Sequence, residues 1–467
     1  MSEENKSLAA GSLGTLESTV MGVAGSAPAF SVAVTAAVIV AAVGPLSVGS
    51  VMYCGLIMFG IMLAFIHLNQ TTAHAGATYA WVGKIFGPAW GFFSGWGLLV
   101  ASVVFMVSAT IPAATSTLTL IQEFFGVAQD LKESTAWVTF TAAVWLTVVT
   151  IVVTKGIKHA SYAQLLLTVV ETGIVLALVI GAVVQYRAHP AHAPSWSWLT
   201  DFTPATFATG ALTAIFFYWG WDVTMNLGEE TKEGTPQPAG QGAFWAMVSL
   251  MLFYIILIIV VLLVLTDQEI AEANTNVLYA IANKLFAPPW NYLAVLSTIL
   301  STIGTIETQI LQFSRSMFAM ARDNALHPRY AKIHPEWQTP WVATLAIWSL
   351  AVVLLFGSSY MPSVKDILDK SVATTCFQIC FYMSLAGFAC AWHYRSKLAE
   401  AGIKEKVSYV VWPLLSAAFM VFVAIYSAVV SFDWLTNLIG IGGLALGFIP
   451  FALGKQREAS ALASKLA

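Results

Sequence analysis

Three carboxylates stand inside apolar runs long enough to cross a membrane: Glu171 within 165–174, Asp222 at the end of 216–222, and Glu307 within 301–309. An acid at that depth is costly unless it faces a cavity, a partner or a path for ions, so each is a candidate for chemistry. The chemistry open to them is narrow. A buried carboxylate can take up and release a proton, hold an ammonium group, or serve as an anionic ligand for sodium. Bond-making is another matter: there is no His-Glu-x-x-His, no Gly-x-Ser-x-Gly and no paired intramembrane aspartates. A membrane-embedded enzyme is the alternative from a different class, and it lacks its nucleophile and its metal ligands. No cofactor is expected beyond a proton or sodium as coupling ion. His189 and His192, in a proline-rich loop, have no further ligands near them in sequence, and Cys54, Cys376, Cys380 and Cys390 all lie in apolar runs, as buried small hydrophobes do.

Asp222 closes the stretch Phe216-Phe217-Tyr218-Trp219-Gly220-Trp221-Asp222, which leads into Gly228-Glu229-Glu230-Thr231-Lys232. A glycine among aromatics weakens a helix, and freed backbone groups at membrane depth are tolerable only where they line a polar cavity. The stretch therefore reads as a broken helix with a small polar solute bound at the break. An intact helix with Asp222 at its inner end is the plainer alternative. The first apolar run carries a second interruption, Gly22-Val23-Ala24-Gly25-Ser26-Ala27-Pro28, where Pro28 removes a backbone donor. Alone it reads equally as a proline kink. Paired with the first, five spans away, it matches the interrupted helices of an inverted-repeat carrier.

The elements that must hold these residues are helices. The chain has 467 residues, 58% hydrophobic and 10% charged, against roughly 45–50% apolar in soluble domains. The class is an all-α polytopic membrane protein. At about 20 apolar residues per span, twelve are predicted, near 16–43, 47–68, 89–119, 136–154, 162–185, 207–228, 243–265, 291–320, 341–357, 371–394, 409–430 and 433–454. With both termini on one side, that side holds sixteen of the 21 lysines and arginines and the other holds Lys132, Arg187, Lys284, Lys365 and Lys370. The positive-inside rule then puts both termini in the cytoplasm, with the chain in the plasma membrane. The start, Met1 to Lys6, lacks the basic n-region of a secretory signal, so the first span should stay uncleaved. The polar end after Leu453 reads as a short disordered tail. A net charge of −3 offers no case for nucleic acid. The expected partners are the bilayer and a small-molecule substrate; oligomeric state is not legible.

One more stretch gives the chain a likeness. His74-Ala75-Gly76-Ala77-Thr78-Tyr79-Ala80-Trp81, then Phe86-Gly87-Pro88-Ala89-Trp90-Gly91-Phe92-Phe93-Ser94-Gly95-Trp96, is by chemistry a packing motif of small residues and interfacial tryptophans. It resembles the loop and third-helix entry of the amino acid–polyamine–organocation permeases, with their Gly-x-x-Tyr and Gly-Phe-x-x-Gly-Trp pattern. The 218–230 stretch resembles that family's sixth helix. Residues 314–324, with His327-Pro328 and Thr339-Pro340-Trp341, resemble the end of its eighth.

The resemblance implies a leucine-transporter-like five-plus-five inverted repeat, 16–185 and 207–394. A cytoplasmic tail, 1–15, would precede it, with two more helices at 409–454 and a tail at 455–467. It implies a permease importing an amino acid or biogenic amine by alternating access, as a proton-coupled symporter, with an exchanger or sodium symporter as alternatives. Gly25, Ser26 and Ala27 match the family's Gly-Ser-Gly, whose amides hold a substrate carboxylate. A helix N-terminus suits an anion on physical grounds too. Ala27 and Pro28 depart from that pattern, toward the subgroup for polyamines and other amines. Phe217, Tyr218 and Trp219, beside Gly220 and Asp222, should offer carbonyls to a substrate ammonium. Glu171 falls where proton-coupled relatives carry a lysine, beside the sodium position of sodium-coupled ones. The alignment also puts Gln309 on a substrate-facing position. Asp222 is read as a partner of the substrate amine or a link to the cytoplasmic gate, and Glu307 as either coupling or structural. Glu229 and Glu230, opposite Arg315 and the basic loop after it, are candidates for a gate-closing ion network.

Overall fold

A computed structural model of the chain describes residues 8, 10–126, 130–233, 237–273, 276–398, 400–429 and 433–466. Most of the predicted N-terminal tail lies outside them. Helices follow one another throughout: α1 (Thr15–Ser26), α2 (Pro28–Val43), α3 (Ser47–Thr71), α4 (Thr78–Phe86), α5 (Pro88–Phe125), α6 (Thr135–Thr154) and α7 (Ile157–Tyr186). Then come α8 (Ser197–Thr200), α9 (Pro204–Phe217), α10 (Val223–Asn226), α11 (Pro238–Val264), α12 (Asp267–Ala273), α13 (Val277–Leu285) and α14 (Tyr292–Arg322). The last are α15 (Trp341–Ser358), α16 (Val364–Tyr394), α17 (Ile403–Lys406), α18 (Trp412–Val429), α19 (Trp434–Leu446) and α20 (Phe448–Leu466).

Among the described residues, ten helical stretches are long and apolar enough to cross a membrane. The first, 15–71, holds two predicted spans, and the shorter α9 belongs to the sixth. Every predicted span thus has a helical counterpart. The polar C-terminal end is a correction: α20 carries the chain in helical form to Leu466. Its alanines, lysines and glutamate are good helix formers, which outweighs their polarity.

Inner and outer helices differ sharply. In their most apolar stretches α5, α14 and α16 are 89%, 78% and 72% buried, against 22% for α7 and 28% for α15. On α7 and α15, residues such as Val169, Ile180, Val353 and Phe356 stand exposed. An apolar belt of that kind needs lipid around it.

The polar residues of α14 divide by what they bond. Thr298, Thr302 and Thr308 return their hydroxyls to carbonyls one turn back on the same helix. Ser301, Thr305, Gln309, Gln312 and Ser316 recur every three or four residues and so share one face. That stripe looks onto the two interrupted helices.

Candidate functional site

Both predicted breaks are present. Helix α1 runs to Ser26, Ala27 turns left-handed at φ 45°, and α2 starts on Pro28. Helix α9 stops at Phe217, the chain turns through 218–222 with Gly220 at φ 112°, and α10 resumes at Val223. The breaks meet directly. A Cβ on Gly25 would strike the Gly220 carbonyl, and one on Gly220 would strike the Gly25 carbonyl. Glycine at both positions is what lets the two backbones touch.

At the first break the amides named for a carboxylate cradle are already engaged within the chain. The interruption is a single residue, because Pro28 ends one ladder while the Ala27 amide still reaches back to the Val23 and Ala24 carbonyls, at 3.0 and 3.1 Å. The amides of Gly25 and Ser26 stay within α1. Those of α2 are engaged by side chains from elsewhere: Ala29 donates to Glu171 Oε1 at 3.0 Å, and Phe30 donates to Ser301 Oγ at 3.2 Å. Carbonyls are engaged as well, Gly25 by Thr305 Oγ1 at 2.7 Å and Ser26 by the Tyr254 hydroxyl at 2.7 Å. The Ser26 hydroxyl, buried, has no partner.

The second break leaves its backbone open. The carbonyls of Phe217, Tyr218 and Trp219 accept no hydrogen bond from the described residues. Asp222 is fully enclosed: its Oδ2 accepts from Tyr382 OH at 2.7 Å and from Gln312 Nε2 at 2.8 Å, and its Oδ1 has no side-chain partner. Tyr382 in turn accepts the Trp219 indole N–H at 2.5 Å. The Tyr218 hydroxyl is buried without a partner. Gln309, midway along the α14 stripe between Thr305 and Gln312, has neither amide atom satisfied. Buried polar groups are nearly always hydrogen-bonded, so a set of orphans around one junction marks a place built for something polar.

Above the junction is a lid of rings. Phe105 of α5 packs edge-on against Trp219 at 5.0 Å, with Phe216 at 5.8 Å and Phe30 at 6.1 Å between ring centroids. A separate cavity of about 140 Å³ is lined by Thr35, Thr213, Cys376, Lys365 and Asp369 among others.

Below, toward the other membrane face, polar contacts continue. Gln312 also donates to Asn226 at 3.1 Å, and Asn226 donates to Ser316 Oγ and the Ala75 carbonyl. Arg315 grips Glu230 with two hydrogen bonds, 2.6 and 3.0 Å, both residues buried. Glu229 takes two bonds from Arg322, at 2.9 and 2.7 Å, and one from the Ala75 amide. His74 stands 3.1 Å from Arg322 and 3.4 Å from Asp323. Burial would raise the Glu229 carboxyl, but Arg322 and the Ala75 amide hold it below the usual carboxylate range. Residues 12–14 strap this mouth: the Ser12 and Leu13 amides donate to the Glu230 carbonyl, and Lys232 donates back to Leu13.

The structure thus gathers Gly25, Ser26, Ala27, Phe217, Tyr218, Trp219, Gly220, Asp222 and Gln309 at one junction, with Glu171 at the head of α2. It does not bring Glu307 there. Two residues past Thr305, Glu307 lies about 200° round α14, buried, with its Oε1 unpartnered. His192 is spent on Asp267 and the Leu262 carbonyl. The sequence alone missed Tyr382, Gln312 and Phe105, which carried no local signal; Arg322, the last residue of α14, belongs to the basic stretch set opposite Glu229 and Glu230.

A family described as amino acid permease matches residues 13–446. The chain is 24% identical to the serine/threonine exchanger SteT of Bacillus subtilis over 405 residues, covering 85% of this chain and 86% of that protein. It is 22% identical to the arginine/ornithine antiporter ArcD1 of Lactococcus lactis over 430 residues, 86% of this chain and 76% of that one. With the branched-chain amino acid permease BcaP of Bacillus subtilis the identity is 21% over 306 residues, 62% and 63%.

Proposed function

We propose, since the chain belongs to the amino acid permease family, that it imports an amino acid or a small biogenic amine across the plasma membrane by alternating access. It is a multi-pass membrane transporter and not an enzyme. The substrate sits where the Gly25 and Gly220 breaks meet, its ammonium on the bare carbonyls of residues 217–219 and on Asp222, with Gln309 and Ser26 as neutral contacts. The observation that carries this reading is the contact of the two breaks at Gly25 and Gly220 beside the open carbonyls of 217–219, with Ser26 Oγ and the Gln309 amide buried and unpartnered. Each forfeits hydrogen bonding that a small zwitterion or amine would restore.

The two breaks head five-helix repeats, 16–185 and 207–394; the first, second, sixth and seventh helices rock against the third, fourth, eighth and ninth, with 409–454 peripheral and both termini cytoplasmic. The Glu230–Arg315 and Glu229–Arg322 pairs close the cytoplasmic mouth. Glu171 is the coupling acid, and the coupling ion is a proton. A ligand shifts such an equilibrium only through its different affinity for the two states, which a group that titrates in one and is shielded in the other supplies.

Purified protein in liposomes tests this. Accumulation of a labelled amino acid or amine under an imposed inward proton gradient, without sodium, is the expected outcome. The exchanger and antiporter names of two relatives favour a second reading. Uptake that starts only when substrate is loaded inside would make exchange the activity.

A further inference from the structure

Every backbone amide at the head of α2 already has an assignment. Pro28 has no N–H; Ala29 donates to Glu171 at 3.0 Å, Phe30 to Ser301, and Ser31 to the Ala27 carbonyl. Ala27, just before, is bonded back into α1. A half-helix N-terminus inside a membrane is the place an incoming carboxylate would seek, and here a carboxylate of the chain itself is seated on it. Next to it the buried Ser26 hydroxyl has no partner, and the buried Gln309 amide has none either. The anion position is therefore built and filled, while the neutral groups around it wait.

We infer that Glu171 is an internal stand-in for the substrate's carboxylate: it holds the Ala29 amide while the carrier is empty, and yields that amide as a neutral acid when an amino acid binds. This rests on the junction being an amino acid site. Two carboxylates on one helix end repel each other, and the dipole there is matched by a single anion. So the incoming carboxylate displaces Glu171 only if a proton from solvent goes to the Glu171 carboxyl. The Ala29 N–H···Oε1 bond breaks, an Ala29 N–H bond to the substrate oxygen replaces it, and the charge at the helix end is unchanged. One proton enters with each amino acid. An amine without a carboxylate leaves Glu171 where it is and brings no proton.

Few other groups compete for the role among the described residues. From α11 the Tyr254 hydroxyl faces Glu171, and it donates to the Ser26 carbonyl. From α14 the neutral Ser301 stands beside it, and Glu307, six residues further on, lies about 120° round that helix. Helix α2 presents only amides.

The test is calorimetry on the full chain in nanodiscs, in buffers of different ionisation enthalpy, which gives protons taken up per ligand bound. The probes are L-serine, L-arginine and L-leucine, each against the amine lacking its carboxylate: ethanolamine, agmatine and 3-methylbutylamine. The expected result is about one proton per bound amino acid, none per amine, and amino acid affinity falling tenfold per pH unit as pH rises. E171Q should bind an amino acid without proton uptake and without that pH dependence. Equal uptake by amino acid and amine, or uptake that persists in E171Q, overturns the inference. Because the paired comparison is made on the unaltered chain, it stands even if E171Q fails to fold. Binding without any proton uptake leaves the site reading intact and removes only this inference; no binding by any of the six removes both.

Discussion

Gly25 and Gly220 touch backbone to backbone, each standing where a side chain on the other would have to go. Gly220 is doubly constrained, since its φ of 112° lies in the region L side chains rarely adopt. The conformation alone would cost a non-glycine residue on the order of 1–3 kcal/mol. Gly220→Ala is therefore expected to lower the melting temperature in detergent and abolish uptake. Gly25→Ala, helical and unstrained by itself, should lose uptake through the clash with a smaller loss of stability. Wild-type uptake in either variant would mean that the two breaks do not need to meet.

Arg315 and Glu230 make the one fully buried ion pair among the described residues. Removing one partner of such a pair leaves an uncompensated buried charge, at about 3–5 kcal/mol, whereas replacing both with apolar groups is often near neutral. Glu230→Gln should favour opening of the cytoplasmic mouth, read as faster labelling of a cysteine introduced at Ser316. The double variant Glu230→Leu with Arg315→Met should label more slowly than the single one. The opposite ranking would show that the pair does not hold the mouth shut.

The outer half of the same gate carries a pH dependence. Burial opposes ionisation of Glu229 and Asp323, but Arg322 and His74 outweigh it, so both carboxyls sit below their usual 4.5 and 3.8. A carboxyl lowered in the closed state stabilises that state in full above its free value. The contribution is lost as pH falls through the lowered one. Taken relative to the same cysteine in the denatured chain at each pH, which removes the thiol's own titration, labelling at Ser316 should rise as pH falls below about 4.5. Glu229→Gln should label faster than wild type at pH 7 and show less of the acid rise. High salt should weaken this gate modestly, since Arg322 and Asp323 are part-exposed.

How far the sequence reached follows from where its signals lie. Gly220 and Pro28 are local anomalies in apolar runs, so both breaks could be predicted from a few neighbouring residues. Twelve spans, and charges of opposite sign near 229–230 and 315–322, were legible for the same reason. Tyr382 and Gln312 were not: a tyrosine and a glutamine in a span look ordinary until the fold brings them 160 and 90 positions along the chain to one Asp222 oxygen. That the amides at the first break are already engaged was not legible, because a match to a motif says nothing of which partner fills it. Only the three-dimensional contact of Ala29 with Glu171 does.

Phe105 is the remaining test of how the site is closed. Its ring packs edge-on against Trp219 of the second break and touches Phe30 and Phe216. No polar atom is involved, so the seal is packing alone. Phe105→Ala removes a buried ring, which costs about 3–5 kcal/mol where the surroundings cannot collapse. It also opens space against Trp219 at the substrate junction. The variant should melt at lower temperature and release bound substrate faster. Phe105→Leu keeps most of the volume and should fall between the two in both measurements. If Phe105→Ala loses stability while release stays at the wild-type rate, the rings are core packing and the closure lies elsewhere.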